Sequence, residues 1–100
     1  MHAVLQYTYD DDYLQSREAH RVAHLERGWA AVERGEMVLG GAVGTGPFSG
    51  LLVFEGEDPV ALASAFAEAD PYVVHGVVKS WTALPWTTVL GESAATPVRP

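Results

Sequence analysis

Met37-Val38-Leu39-Gly40-Gly41-Ala42-Val43, Gly44-Thr45-Gly46-Pro47-Phe48-Ser49-Gly50, Leu51-Leu52-Val53-Phe54: this central stretch decides the fold. Two short apolar runs flank a connection carrying three glycines and a proline. That pattern predicts two antiparallel strands joined by a long loop. On either side of this hairpin the hydrophobic period changes to that of a helix. From Tyr13 to Arg34, Leu14, Val22, Leu25, Trp29 and Val32 fall within an arc of about 80° when residues are placed 100° apart. Gly28 lies inside this helix at a cost of about 1 kcal/mol relative to alanine, for which close packing against the sheet is the simplest reason. Gly35 supplies the C-terminal cap. After the hairpin, Asp58-Pro59 sets an N-cap and a proline at the first helical position. That second helix runs to about Ala69 and buries Leu62, Ala63, Phe66 and Ala67.

Outside the helices lie the remaining strands. His2 to Tyr9 alternates Ala3, Leu5, Tyr7 and Tyr9 against Val4, Gln6 and Thr8, and Asp10-Asp11-Asp12 stops it at a candidate helix N-cap. Val73 to Trp81 reads as a fourth strand and Trp86 to Leu90 as a short fifth. Residues 1–90 then form one domain, and the proline-bearing tail, residues 91–100, is expected to be loose. The order β-α-β-β-α-β is the split βαβ of ferredoxin-like α+β folds, an antiparallel sheet with two helices on one face. The bare face of such a sheet would carry apolar area, and packing two copies face to face would cover it. A homodimer is therefore expected.

Composition narrows the function. The 100 residues carry 13 carboxylates against 6 Lys+Arg, a net charge of -7, which argues against nucleic acid as a partner. Cysteine is absent, so disulfides, thiolate zinc sites and a cysteine nucleophile are excluded. The opening residues lack the basic start and apolar run of a signal peptide, and no stretch approaches the roughly 20 apolar residues of a membrane span. A soluble cytoplasmic protein is the expectation.

Four of the six cations, Arg17, Arg21, Arg27 and Arg34, sit on the first predicted helix. Arg17, His20, Arg21 and His24 share one of its faces, at the rim of the apolar stripe, where imidazole pKa values can be tuned. Asp70 closes the second helix in Ala69-Asp70-Pro71-Tyr72. Because both helices lie on the same sheet face, that carboxylate can reach the first helix. A carboxylate on one imidazole nitrogen fixes the tautomer and raises the basicity of the other. Arg17 or Arg21 would hold an anionic group, and Tyr7 or Tyr72 would line the pocket.

Plainer readings stand beside this one. Histidine and arginine on a helix flank commonly form a solvated face, and Asp-Pro commonly ends a helix. His20 and His24 at i, i+4 could bind a metal, but the adjoining glutamate of a zinc-protease helix is missing. The glycine-rich loop lacks the lysine and the following helix of a phosphate-binding loop. His2 reads as a fraying terminus, His75 as an exposed or rim strand position, and Trp29, Trp81 and Trp86 as core or interface residues.

Arg21-x-x-His24-Leu25, Gly40-Gly41, Ala69-Asp70-Pro71-Tyr72-x-x-x-Gly76 and Pro85-Trp86 occur in this order. Together, over about Leu5 to Val89, they resemble the YciI-like (YCII-related) family. The resemblance implies a ferredoxin-like fold that dimerises through its sheets, as dimeric α/β barrels do, with a proposed site at His24 and Asp70. A few relatives in that family are associated with dehydrochlorination of chloroaromatics, and the wider group includes muconolactone isomerases and small monooxygenases. His20 is not part of the pattern.

Two functions follow as expectations. One is a small cofactor-free, metal-free lyase or isomerase, with His24 moving a proton, Asp70 orienting it, and Arg17 or Arg21 holding a small aromatic or enolisable anion. The other is a dimeric module that binds such an anion without transforming it.

Overall fold

The computed structural model describes residues 1–100. Strand β1 (His2–Tyr9) leads into a single helical turn, α1 (Tyr13–Ser16), a 3₁₀ turn (Glu18–His20) and helix α2 (Arg21–Glu33). The hairpin β2 (Met37–Val43) and β3 (Ser49–Glu55) follows, then α3 (Pro59–Ala69), a second short turn α4 (Pro71–Val74) and β4 (Val78–Trp86). The sheet is fully antiparallel in the order β2-β3-β1-β4. Helix α3 packs on β1, β3 and β4, and α2 lies over β2. This is the α+β ferredoxin-like arrangement that the sequence predicts. No helix is long and apolar enough to cross a membrane.

Strand period places the core. Ala3, Leu5, Tyr7 and Tyr9 of β1 and Leu52 and Phe54 of β3 point toward the helices, where Ala63, Phe66 and Ala67 of α3 cover them. Pairing across the sheet sets Leu5 beside Leu52 and Ala83, and Tyr7 beside Gly50 and Trp81. Gly50 is forced by the tyrosines: an added Cβ would lie 2.5 Å from the Tyr9 hydroxyl and 2.8 Å from Tyr7 Cβ. The opposite face stays open and carries Leu39, Leu51 and Leu84, all exposed.

Several predicted elements change. The single long helix divides because its first turn is tied to the end of β1. Tyr13 stacks on Tyr9 with ring centroids 3.8 Å apart, and the Ser16 hydroxyl donates to the Asp10 carboxylate at 2.8 Å. His20, at φ -120° and ψ 0°, then leaves helical geometry and starts α2 on a new axis. The apolar stripe is largely uncovered: Trp29 is 65% exposed and Val22 70%, while Ala31 is the buried residue of α2. Gly28 meets nothing within 4 Å, so close packing is not its reason.

Val73 and Val74, β-branched and read as strand, are helical instead. Asp70 closes a local turn over them: its backbone carbonyl accepts from both N–H groups at 2.9 Å, its side chain caps Tyr72, and Gly76 at φ +78° ends the turn. β4 therefore starts at Val78 and absorbs Pro85 and Trp86, which the edge position of the strand permits. No fifth strand forms over residues 86–90. Leu62 is only partly buried, Trp81 packs against the core, and Trp86 is exposed. His2 is not frayed: it is buried, with Nδ1 2.8 Å from the Thr88 hydroxyl. Residues 91–100 hold no helix or strand, although Thr96 and Val98 donate back to the carbonyls of Thr88 and Val89.

Substituting Gly50→Val tests this packing. The new side chain collides with two buried tyrosines, so overpacking should lower stability by about 2 kcal/mol or more. Urea unfolding with an unchanged midpoint would show that the Tyr7–Tyr9 wall is not packed as described.

Candidate active site

Asp70 organises the site. It follows α3 in extended geometry (φ -65°, ψ 124°), fixed by Pro71, and is fully buried. Three donors converge on its carboxylate. The Tyr7 hydroxyl donates to Oδ2 at 2.6 Å, the Tyr72 backbone N–H to Oδ1 at 3.0 Å, and His24 Nδ1 lies 2.8 Å from Oδ1 and 3.0 Å from Oδ2. β1, α4 and α2 thus meet on one side chain. A buried charge is tolerable only when paired and hydrogen-bonded, and here both oxygens are.

A carboxylate only accepts, so the proton of this contact belongs to His24 Nδ1. In the neutral ring Nε2 is then the lone-pair nitrogen, available as a base. The ring is held on its other sides as well. It stacks on Tyr72 with centroids 3.8 Å apart and 4° between planes, and meets Phe66 edge-on at 6.4 Å. The side chain retains 18% exposure, which opens onto a cavity of about 480 Å³ between α2 and the sheet.

Arg17, Arg21 and Tyr72 line the same cavity as His24. Arg17 donates from Nη1 to the Tyr13 hydroxyl at 3.0 Å, and that bond raises its already high pKa. Arg21 is exposed at the rim. Tyr7 departs from the expectation. It is buried and does not line the cavity, because its hydroxyl is spent on Asp70. Tyr9, Tyr13 and Phe66 line the cavity in its place; the signal for Tyr9 was the β1 alternation that puts it on one face with Tyr7, whereas Tyr13, in α1, reaches the cavity by stacking on Tyr9. Arg27, read only as part of the basic run, ties α2 to α3 by donating to the Phe66 carbonyl at 3.1 Å.

His20 takes no part in the Asp70 network. Its ring stacks on His75 at 4.2 Å and 3° between planes, beside the His24–Tyr72 stack. The two pairs share one origin, since His20 and His24 are a helical turn apart on α2 and Tyr72 and His75 are a turn apart around α4. His75 belongs to the end of that turn and not to a strand. No cluster of three or more histidine and acidic side chains converges as a metal cage.

The tyrosines carry a pH signature. Burial first, then the Asp70 charge, pushes the Tyr7 hydroxyl far above its ordinary range. Burial with the Tyr13 neighbour does the same to Tyr9, and burial chiefly lifts Tyr72 to about 12. A raised folded-state pKa stabilises the native chain below the unfolded value near 10, and that stability is lost as pH climbs through the folded value. Urea midpoints should therefore fall between about pH 10 and 12, with most phenolate absorbance appearing only as native circular dichroism disappears. Full phenolate formation near pH 10 with the native signal intact would contradict the tyrosine arrangement.

Comparison with known proteins agrees with the fold. No curated protein matches the chain at a significant level. Among solved structures the chain is similar to 5-chloro-2-hydroxyhydroquinone dehydrochlorinase, TftG, from Burkholderia phenoliruptrix, determined with 2,5-dihydroxybenzoquinone. The TM-score is 0.70 at 22% identity, covering 88% of this chain and 95% of that one. This likeness establishes the fold. The YCII-related domain profile matches residues 1–87, nearly the whole folded part, and the chain belongs to the YCII-related domain family.

Proposed function

We propose that the protein is a small-molecule lyase or isomerase in which His24 is the proton-transfer base. The observation that carries this reading is the Asp70–His24 Nδ1 contact beside an open cavity with two arginines. In an elimination, His24 Nε2 takes a proton from an acidic C–H or O–H of the substrate. The freed electron pair forms the new π bond, and the leaving group, a halide in a dehydrohalogenation, departs with the electrons of its own bond. The sum is loss of HX, or a shifted double bond if the proton returns to another carbon. Asp70 holds the tautomer and stabilises the imidazolium that forms. Arg17 and Arg21 neutralise the enolate or phenolate oxygen as charge develops on it.

The likeness to TftG supports choosing halogenated hydroxyquinols and other enolisable anions as first substrates. The chemistry as written draws on side chains alone and asks for no cofactor. A homodimer belongs to the same reading, since Leu39, Leu51 and Leu84 leave the open sheet face apolar.

Steady-state assays of halide release and isomerisation, with sedimentation to give the mass, test the proposal. His24→Ala should lower kcat/KM by about 100- to 10,000-fold. Asp70→Asn should lose activity through kcat, and Arg21→Met should act mainly on KM. Turnover indifferent to His24 and Asp70 would reject the assignment. Equal loss of affinity in both variants, with no turnover of any ligand, would favour the binding module.

A further inference from the structure

The cavity does not end at His24. It continues along α2 as an apolar channel, with Leu25, Trp29 and Val32 on the helix side and Met37, Gly40 and Leu52 on the sheet side. We propose that the site takes an organic anion whose apolar part is longer than one ring. Its charged end lies at Arg17 and Arg21, and its apolar end lies between α2 and β2. This inference rests on the reading of the His24 site as a small-molecule site and names its substrate class.

Length is the first argument. From His24 to Val32 the helix rises about 12 Å, and the cavity's 480 Å³ lies in the range of about 300–1,000 Å³ that encloses drug-sized ligands. A single six-membered ring beside His24 would leave the Trp29 and Val32 end empty. Two glycines keep the channel clear. Gly28 costs helix stability, and nothing lies within 4 Å of where its Cβ would be, so what its missing side chain leaves clear is the channel. A Cβ on Gly40 would rise over the channel floor, 3.3 Å from Leu52 Cγ and 3.4 Å from the Met37 sulfur. Charge supplies the third. In a chain of net charge -7, two of the six cations line this one cavity, and they lie at the His24 end and not along the channel. Trp29, 65% exposed, is the kind of apolar wall that an occupant would cover.

The test is a ladder of straight-chain carboxylates from butyrate to nonanoate, titrated calorimetrically into the full chain, its Gly28→Leu variant and its His24→Ala variant. Affinity should rise about two- to fourfold per methylene, so nonanoate binds at least about 30-fold more tightly than butyrate. Nonanol should bind more weakly than nonanoate, because it leaves the arginines unpaired. Gly28→Leu places a side chain in open space and raises helix propensity, so the fold survives. It should reduce the nonanoate-to-butyrate ratio about tenfold or more.

A flat ladder overturns the proposal, including one that is flat because a second copy fills the channel in a sedimenting dimer. A steep ladder that Gly28→Leu leaves unchanged overturns it too, since the apolar seat would then lie elsewhere, such as the open sheet face. The ladder should persist in His24→Ala. A steep ladder without turnover of any substrate therefore rejects the catalytic reading but not this one, and His24-dependent turnover with a flat ladder does the reverse.

Discussion

A buried carboxylate must find donors or it destabilises the fold, and at Asp70 that requirement is met from three directions at once. The Tyr7 hydroxyl comes from the central strand, the Tyr72 N–H from the turn that Asp70 itself caps, and the imidazole from α2. Each donor has little freedom left. Tyr7 is locked in the core, Tyr72 follows a proline, and His24 is stacked on the Tyr72 ring. The polar network therefore does structural work. It fixes where α2 sits relative to the sheet, and it leaves one imidazole nitrogen without a protein partner. Removing a member of such a network costs more than one hydrogen bond, because the remaining groups stay buried.

The same constraint explains why α2 is poorly covered. The helix is held through His24, through Arg27 on the Phe66 carbonyl and through buried Ala31. Of its apolar stripe only Val32, near the C-terminal end, packs against the core. Leu25, Trp29 and Val32 consequently flank a cavity where a seam of side-chain packing would otherwise run. The Asp70 network holds this apolar wall in place, and its exposure is that of a surface an occupant or a partner would cover.

The layout was legible in the sequence because hydrophobic periods and punctuation agreed there. The hairpin around Gly44–Gly50, the Asp58-Pro59 helix start and the β1 alternation each occur where the residues place them. So does the approach of His24 to Asp70, which needs only two helices on one sheet face. What failed were the places where a side chain overrides local propensity. Val73 and Val74 favour a strand, but the Asp70 cap bends them into a turn. Tyr13 and Ser16 fit a long helix, yet their tertiary contacts to Tyr9 and Asp10 hold the first turn apart. Tyr7 as the carboxylate's anchor was out of reach, because strand period gives the face a residue occupies and not the partner its hydroxyl finds. His2 was misread for a related reason: terminal position says nothing about a hydroxyl at Thr88.

The claim on which the functional account rests is that Asp70 fixes the His24 tautomer with its proton on Nδ1 and its lone pair on Nε2. Nitrogen-15 chemical shifts of the His24 ring, measured through a pH titration of the wild-type chain and of Asp70→Asn, test it most directly. The account predicts a neutral ring with a protonated Nδ1 and a bare Nε2 in the wild type, and a loss of that preference in the variant. A wild-type ring carrying its proton on Nε2, or one that does not respond to the loss of the Asp70 charge, would contradict it.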